Sequence, residues 1–171
     1  MFDVLSTMLR TGILTELLPS AEVSPEVEPL QKELRDMLGR ALCIRHVDAG
    51  SCNGCELEIQ ALSNPYYNLE GLGIKFVASP RHADMLLVTG PVSVNMEEAL
   101  RRTYDAMPDP KIVMAVGDCG ACGGIFGTSY ASRGRVANIV PVNHTVSGCP
   151  PDPTALLRGI LQIVRSKLSE S

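Results

Sequence analysis

Apolar positions recur at two different periods along this chain, and the change of period divides it. Between residues 2 and 18, Phe2, Leu5, Leu9, Ile13 and Leu17 fall at steps of three and four, with Met8, Leu14 and Leu18 widening the stripe. That spacing is the buried face of an amphipathic helix. After a polar, proline-containing link at 20–28, Leu30, Leu34 and Leu38 at steps of four predict a second helix over 29–42. Residues 1–42 therefore read as a helical extension that docks on its own domain, on a partner subunit or on a membrane surface. The scarcity of Lys and Arg on its polar face disfavours lipid.

From Cys43 onward short apolar runs alternate with helical patterns. Strands are expected at 44–48, 74–78, 85–89, 112–116 and 142–146, each bounded by Gly, Pro, Asp or Ser. Helices are expected at 55–62, 95–106 and 153–168, the last with Leu156, Leu157, Ile160, Leu161 and Val164 on one stripe and Pro153 near its start. Strands buried on both faces between helices imply an α/β fold, a flavodoxin-like, mostly parallel sheet flanked by helices. Residues 43–171 would form this domain, behind the N-terminal extension.

Composition narrows the picture. The 171 residues, 45% of them hydrophobic and 20% charged, suffice for one domain with a substantial core. A net charge of -4 without a Lys/Arg cluster argues against nucleic acid as a partner. The apolar runs are strand-sized, far short of the roughly 20 residues that cross a bilayer. Asp3 stands where a signal peptide needs positive charge, so an intracellular setting with reduced thiols is expected.

The cysteines carry the chemistry. Cys52 and Cys55 in SCNGCELE, Cys119 in AVGDCGACGG and Cys149 in SGCPPDP each follow a predicted strand. In an open parallel sheet the loops leaving different strands at their carboxyl ends converge on one crevice. Thiolates are the usual ligands of iron-sulfur clusters, and four complete the outer coordination of a cubane. Gly54, Gly120 and Gly148 would leave backbone amides free to approach its sulfurs, and Pro150 and Pro151 would stiffen the loop of Cys149. Cys52 falls at a predicted helix start, where the dipole favours thiolate. Tetrahedral zinc also takes four cysteines, but the two CxxC pairs, Cys52/Cys55 and Cys119/Cys122, lie far apart along the chain. A thioredoxin-like pair at Cys52 and Cys55 would leave Cys119 and Cys149 unexplained. Glycines 117, 120, 123 and 124 do not spell GxGxxG, and no GK[ST] occurs. Spacing alone leaves Cys122 and Cys149 both open as the fourth ligand.

Over about two-thirds of its length the chain resembles a known family. The stretches SCNGCELE, SPRHADMLLVTGPV, PDPKIVMAVGDCGACGGIF and VSGCPP resemble, in the same order, the small subunit of NiFe hydrogenases and the related cluster-bearing B-type subunit of complex I. The likeness is strongest to the short small subunits of membrane-associated, energy-converting or formate-hydrogenlyase-type hydrogenases. Complex I subunits of this kind carry adjacent cysteines where this chain has Cys52-Asn53-Gly54-Cys55, the hydrogenase form.

The resemblance implies one proximal 4Fe-4S cluster held by Cys52, Cys55, Cys119 and Cys149. Cys43 and Cys122 fall outside the ligand pattern and read as small buried apolar residues. It implies an electron-transfer subunit of an oxidoreductase, working between ferredoxin-like iron-sulfur subunits and the NiFe site of a large subunit. Membrane-embedded antiporter-like or quinone-module-like subunits would complete the complex, placed peripherally on the cytoplasmic side of the cell membrane. The alternatives are a B-type subunit of a complex I-like quinone oxidoreductase and, more remotely, a structural zinc domain. Glu58 matches an acidic position of the family and is a candidate for proton relay or large-subunit contact. Glu56 reads as a helix-start carboxylate. Arg81 and His82 in SPRHAD are candidates for tuning the cluster or for a subunit contact. His46 and His144 read as satisfied core or interface histidines, Asp118 as a local cap, and Arg101 with Arg102 as helix surface.

Overall fold

The computed structural model describes residues 41–169 and, before them, Lys32 alone. The two helices expected over residues 1–42 lie outside the described residues, apart from these isolated positions.

Five strands, β1 (Leu42–Asp48), β2 (Ile74–Phe76), β3 (Met85–Thr89), β4 (Ile112–Val116) and β5 (His144–Val146), form one sheet in the order β2-β1-β3-β4-β5. Every pairing is parallel. The sheet is thus wholly parallel where a mostly parallel one was expected, and the strand order is the flavodoxin-like one. β1 takes in Leu42, which the apolar pattern assigned to the extension. Its backbone N–H donates to the Gly73 carbonyl, the first rung of its pairing with the β2 edge.

Side-chain alternation sorts the core into two layers. Leu42 and Ile44 of β1, Met85 and Leu87 of β3, and Met114 and Val116 of β4 pack under helix α1 (Gly54–Ala61). The C-terminal helix α4 (Pro153–Ser169) covers the same face, and its predicted stripe, Leu156, Leu157, Ile160, Leu161 and Val164, is buried throughout. On the other face Val47, Leu86, Val88, Val113 and Ala115 pack against Leu100 of helix α2 (Val94–Asp105) and against Val136 and Val140. β3 and β4 are buried at every position, which is why both read as uninterrupted apolar runs. The outer face of α2 carries the i,i+4 pairs Glu97–Arg101 at 3.2 Å and Glu98–Arg102 at 2.7 Å, so the two arginines are helix surface as expected.

Helix α3 (Gly117–Cys122) was not foreseen. It starts directly from the last residue of β4, and its six residues include two glycines and no apolar period. Between α3 and β5, a hairpin-like excursion is tied down by Val92 N–H to Gly134 O, Arg133 N–H to Val92 O and the Arg133–Glu97 ion pair at 2.7 Å. It holds Ile125, Phe126 and Tyr130 out in solvent, at 94%, 53% and 99% exposure.

Candidate metal centre

All four cysteines singled out from the sequence line one cavity, together with Gly54, Gly117, Asp118, Gly148 and Pro150. Three separate segments bring them there: the β1–α1 loop carries Cys52 and the first turn of α1 Cys55, the first turn of α3 directly after β4 carries Cys119, and the segment after β5 carries Cys149. Each loop leaves the carboxyl end of its strand, as the parallel sheet requires. Cys55 is buried, Cys119 half-buried, and Cys52 and Cys149 exposed, and every cysteine is a free thiol. The cavity holds about 70 Å³, well under the roughly 300–1,000 Å³ of pockets that enclose organic ligands.

The surroundings of the sulfurs suit a cationic inorganic group. Burial pushes the Cys55 thiol up to about 12, with further upward pushes from Glu56, Cys52, Cys119 and Cys149. The Cys119 thiol is likewise raised, first by burial and then by Cys149 and Cys52. These thiols lie near enough to repel one another as anions, which a bound metal group would reverse. Cys52 precedes the N-cap residue Asn53, ahead of the helix itself. A Cβ at Gly117 would lie 2.7 Å from the Cys55 sulfur and one at Gly124 2.8 Å from the Cys119 sulfur, so both thiols depend on a bare backbone beside them. The donor set and this cradle fit an iron-sulfur cluster on four thiolates. Among the described residues, no group of three or more His, Cys, Asp or Glu side chains is arranged to hold a single metal ion.

One of the three glycine amides expected to face a cluster does other work: the Gly148 N–H donates to Asp118 Oδ1 at 2.8 Å. Gly120 is buried in α3 beside Val88 and Ala115 and does not line the cavity. Gly54, in the first turn of α1, does line the cavity. Cys122 is exposed where a buried residue was expected, its thiol donating to the Asp118 carbonyl at 3.1 Å, and it does not line the cavity. Cys43 is half-buried, in β1.

Glu58 is half-buried on α1 and outside the cavity lining. Arg81 and His82 are exposed on a short 3-10 turn, Pro80–His82. That turn follows β2 but meets the amino end of β3, and neither side chain reaches the cysteine cavity. The expected nearness to the cysteines fails because β2 ends low on β1. Phe76 and Met85 both lie level with Ile44, while the cysteine loop begins beyond Asp48.

Beside Cys55 lies a polar network that the sequence reading did not assemble. Glu56 is buried, and its Oε2 accepts from the Ser51 hydroxyl at 2.5 Å. The same hydroxyl accepts from the Asn53 N–H at 3.1 Å. Since Asn53 is the N-cap and Glu56 the third helical residue, this is the glutamate half of a capping box, relayed through a serine, while the Asn53 side chain makes no cap hydrogen bond. Glu56 Oε1 is buried without a hydrogen-bond partner and lies 3.7 Å from His46 Nε2, which also meets the Thr89 hydroxyl at 3.0 Å. Burial lowers the basicity of His46, partly offset by Glu56 and Asp48. His46 is thus a satisfied histidine, as expected. A serine two residues before an N-cap and a glutamate three after it was the available signal.

Residues 52–163 match the family described as NADH ubiquinone oxidoreductase, 20 Kd subunit. The chain belongs to this family. Its members are subunits of hydrogenase and complex I-like oxidoreductase complexes. Over 129 residues the chain is 46% identical to the "Probable membrane-bound hydrogenase subunit" of Pyrococcus furiosus, covering 75% of this chain and 77% of the relative. It is 43% identical over 137 residues to formate hydrogenlyase subunit 7 of Escherichia coli, covering 80% of this chain and about half, 54%, of that protein. Identity to a B-type subunit of NADH-quinone oxidoreductase from Herpetosiphon aurantiacus is 47% over 110 residues, 64% of this chain and 61% of the relative. Among solved structures, the membrane-bound sulfane sulfur reductase, an archaeal respiratory membrane complex, contains a chain of the same fold. The TM-score is 0.64 at 34% identity, over 74% of this chain and 70% of that one. No helix among the described residues is long and apolar enough to cross a membrane.

Proposed function

We propose that this member of the 20 Kd subunit family is the electron-transfer small subunit of a NiFe-hydrogenase-type complex, with one 4Fe-4S cluster on Cys52, Cys55, Cys119 and Cys149. The observation that carries the reading is the convergence of these four thiols from three loops on one small cavity. The cluster would supply one-electron transfer between a ferredoxin-like subunit and the NiFe site of a large subunit. The chain's own part is to fix the four sulfurs, bury Cys55 and leave Cys52 and Cys149 at the surface, where a partner can approach. The exposed Leu57, Ile125, Phe126 and Tyr130 suit a chain that works inside an assembly. Glu58 is proposed at the large-subunit contact, and Arg81 and His82 are proposed for a subunit contact because they stand apart from the cysteines. Membrane-bound relatives favour peripheral attachment to membrane-embedded subunits, and the cytoplasmic side is part of the proposal.

A second reading, a B-type subunit of a complex I-like quinone oxidoreductase, is favoured by the identity to the Herpetosiphon aurantiacus relative. The Cys52-x-x-Cys55 spacing favours the hydrogenase form. Anaerobic purification, iron analysis and low-temperature EPR after dithionite test the cluster. About four irons per chain, lost in Cys149→Ser and kept in Cys122→Ser, is the expected result. Colourless protein with about one zinc would overturn it. Nickel analysis of the co-purified large subunit separates hydrogenase from quinone reductase.

A further inference from the structure

The segment carrying Cys149 has few means of staying in place. β5 is an edge strand of three residues, and Pro150 and Pro151 after the cysteine have no N–H to donate. The last paired residues of β4 and β5 are Val116 and Val146. Two residues further on, where β4 has already turned into α3, the pairing resumes as a two-point clamp. Asp118 N–H donates to the Gly148 carbonyl at 2.9 Å, and Gly148 N–H donates to the Asp118 carboxylate at 2.8 Å. Each half of the clamp immediately precedes a cysteine of the cavity: Asp118 stands before Cys119 and Gly148 before Cys149.

We infer that Asp118 is a positioning residue, whose carboxylate replaces a missing strand rung and holds the Cys149 loop against the Cys119 loop before and after metal binds. The inference rests on the cluster reading for its purpose, but the clamp is a property of the folded chain alone. A hydrogen bond between two loops that would otherwise diverge should slow release of the cysteines from a bound group. The backbone half, Asp118 N–H to Gly148 O, does not depend on the side chain, so the alanine and asparagine variants keep that tie between the loops.

The test uses the full chain, with Asp118→Ala and Asp118→Asn. The asparagine keeps an acceptor oxygen and removes the charge, which separates hydrogen bonding from electrostatics. In the anaerobically purified holoprotein, Asp118→Ala is expected to lose iron to an excess of chelator about tenfold faster than wild type, while Asp118→Asn stays within about twofold. In the apoprotein, hydrogen exchange at the Gly148 amide is expected to be slow in wild type and Asp118→Asn and fast in Asp118→Ala. Equal iron-release rates in all three proteins would overturn the inference, as would equal acceleration in Ala and Asn. A wild-type Gly148 amide exchanging at the rate of unstructured chain overturns it without any variant. Wild-type protein that binds no iron defeats the cluster reading instead, and the Gly148 exchange then still decides on the clamp.

Discussion

Gly117 and Gly73 form a natural pair for measuring how closely the backbone is fitted to the cysteine cavity. Both have φ of +80°, so an alanine at either pays the left-handed penalty of an L residue, about 1–2 kcal/mol. The stiffer unfolded chain returns about 0.4–1 kcal/mol of this. They differ in what a new methyl meets. At Gly73 the nearest heavy atom is the Ala41 Cα at 4.0 Å, whereas at Gly117 it is the Cys55 sulfur at 2.7 Å. Cys55 is buried in the first turn of α1, within the core under the sheet face that α1 covers. Gly73→Ala should therefore cost about 1 kcal/mol, and Gly117→Ala a further ~1–3 kcal/mol of overpacking. Urea unfolding of the two apoproteins, followed by far-UV circular dichroism, gives the difference between them. Iron per chain after anaerobic purification then tells whether the displaced sulfur matters: Gly73→Ala should match wild type and Gly117→Ala should fall well below it. Equal stability and equal iron content in the two variants would show that the Cys55 sulfur is not where the cavity needs it.

Other consequences are as direct. Leu87, fully buried at the centre of β3, should cost ~2–5 kcal/mol when cut to alanine, read as a lower urea midpoint at unchanged slope. Gly159→Ala should destabilise although alanine is the better helix former by about 1 kcal/mol: its methyl would collide with Val146 Cγ2, and the double variant with Val146→Ala should recover much of the loss in a mutant cycle. His46 and His144 are both held below the ordinary imidazole value by burial. On acidification the unfolded chain takes up protons first, so their contribution is full above about pH 6.5 and is lost as pH falls below it. Urea unfolding across pH 5–8 should show that decline, with a shallower slope in His46→Gln.

Legibility in the sequence followed burial. β3 and β4 are apolar at every position because both faces of the sheet are covered, so their bounds could be read to the residue. β5 was expected from Val142 but begins at His144. Asn143 imitates strand pairing, its N–H donating to the Val113 carbonyl and its side-chain oxygen accepting from the Val113 N–H. β2 was drawn to Ala78 and stops at Phe76, since Val77 makes the last bond to Ile44 before the chain turns at Pro80. The cysteine grouping was legible because strand ends of a parallel sheet converge irrespective of side-chain detail. What surrounds the cysteines was not. The Ser51–Glu56 relay and the Asp118–Gly148 clamp depend on hydrogen-bond directions that no periodicity encodes, and Asp118, expected to cap locally, reaches 30 residues along the chain.

The three-loop origin of the cavity also sets the order in which the protein can be made. While the ribosome has delivered only β1 through α2, two of the four thiols exist. Once α3 has emerged there are three, and the fourth arrives only with the residues after the short edge strand β5. Those thiols share a cavity only after β4 and β5 have paired at the far side of the sheet from β2. On the proposed ligand set, a donor that offers its metal group early would meet an incomplete set, and the finished sheet would be what admits the cargo. Native topology would then serve as the quality check in biogenesis, withholding metal from any chain that has not folded through to its last strand.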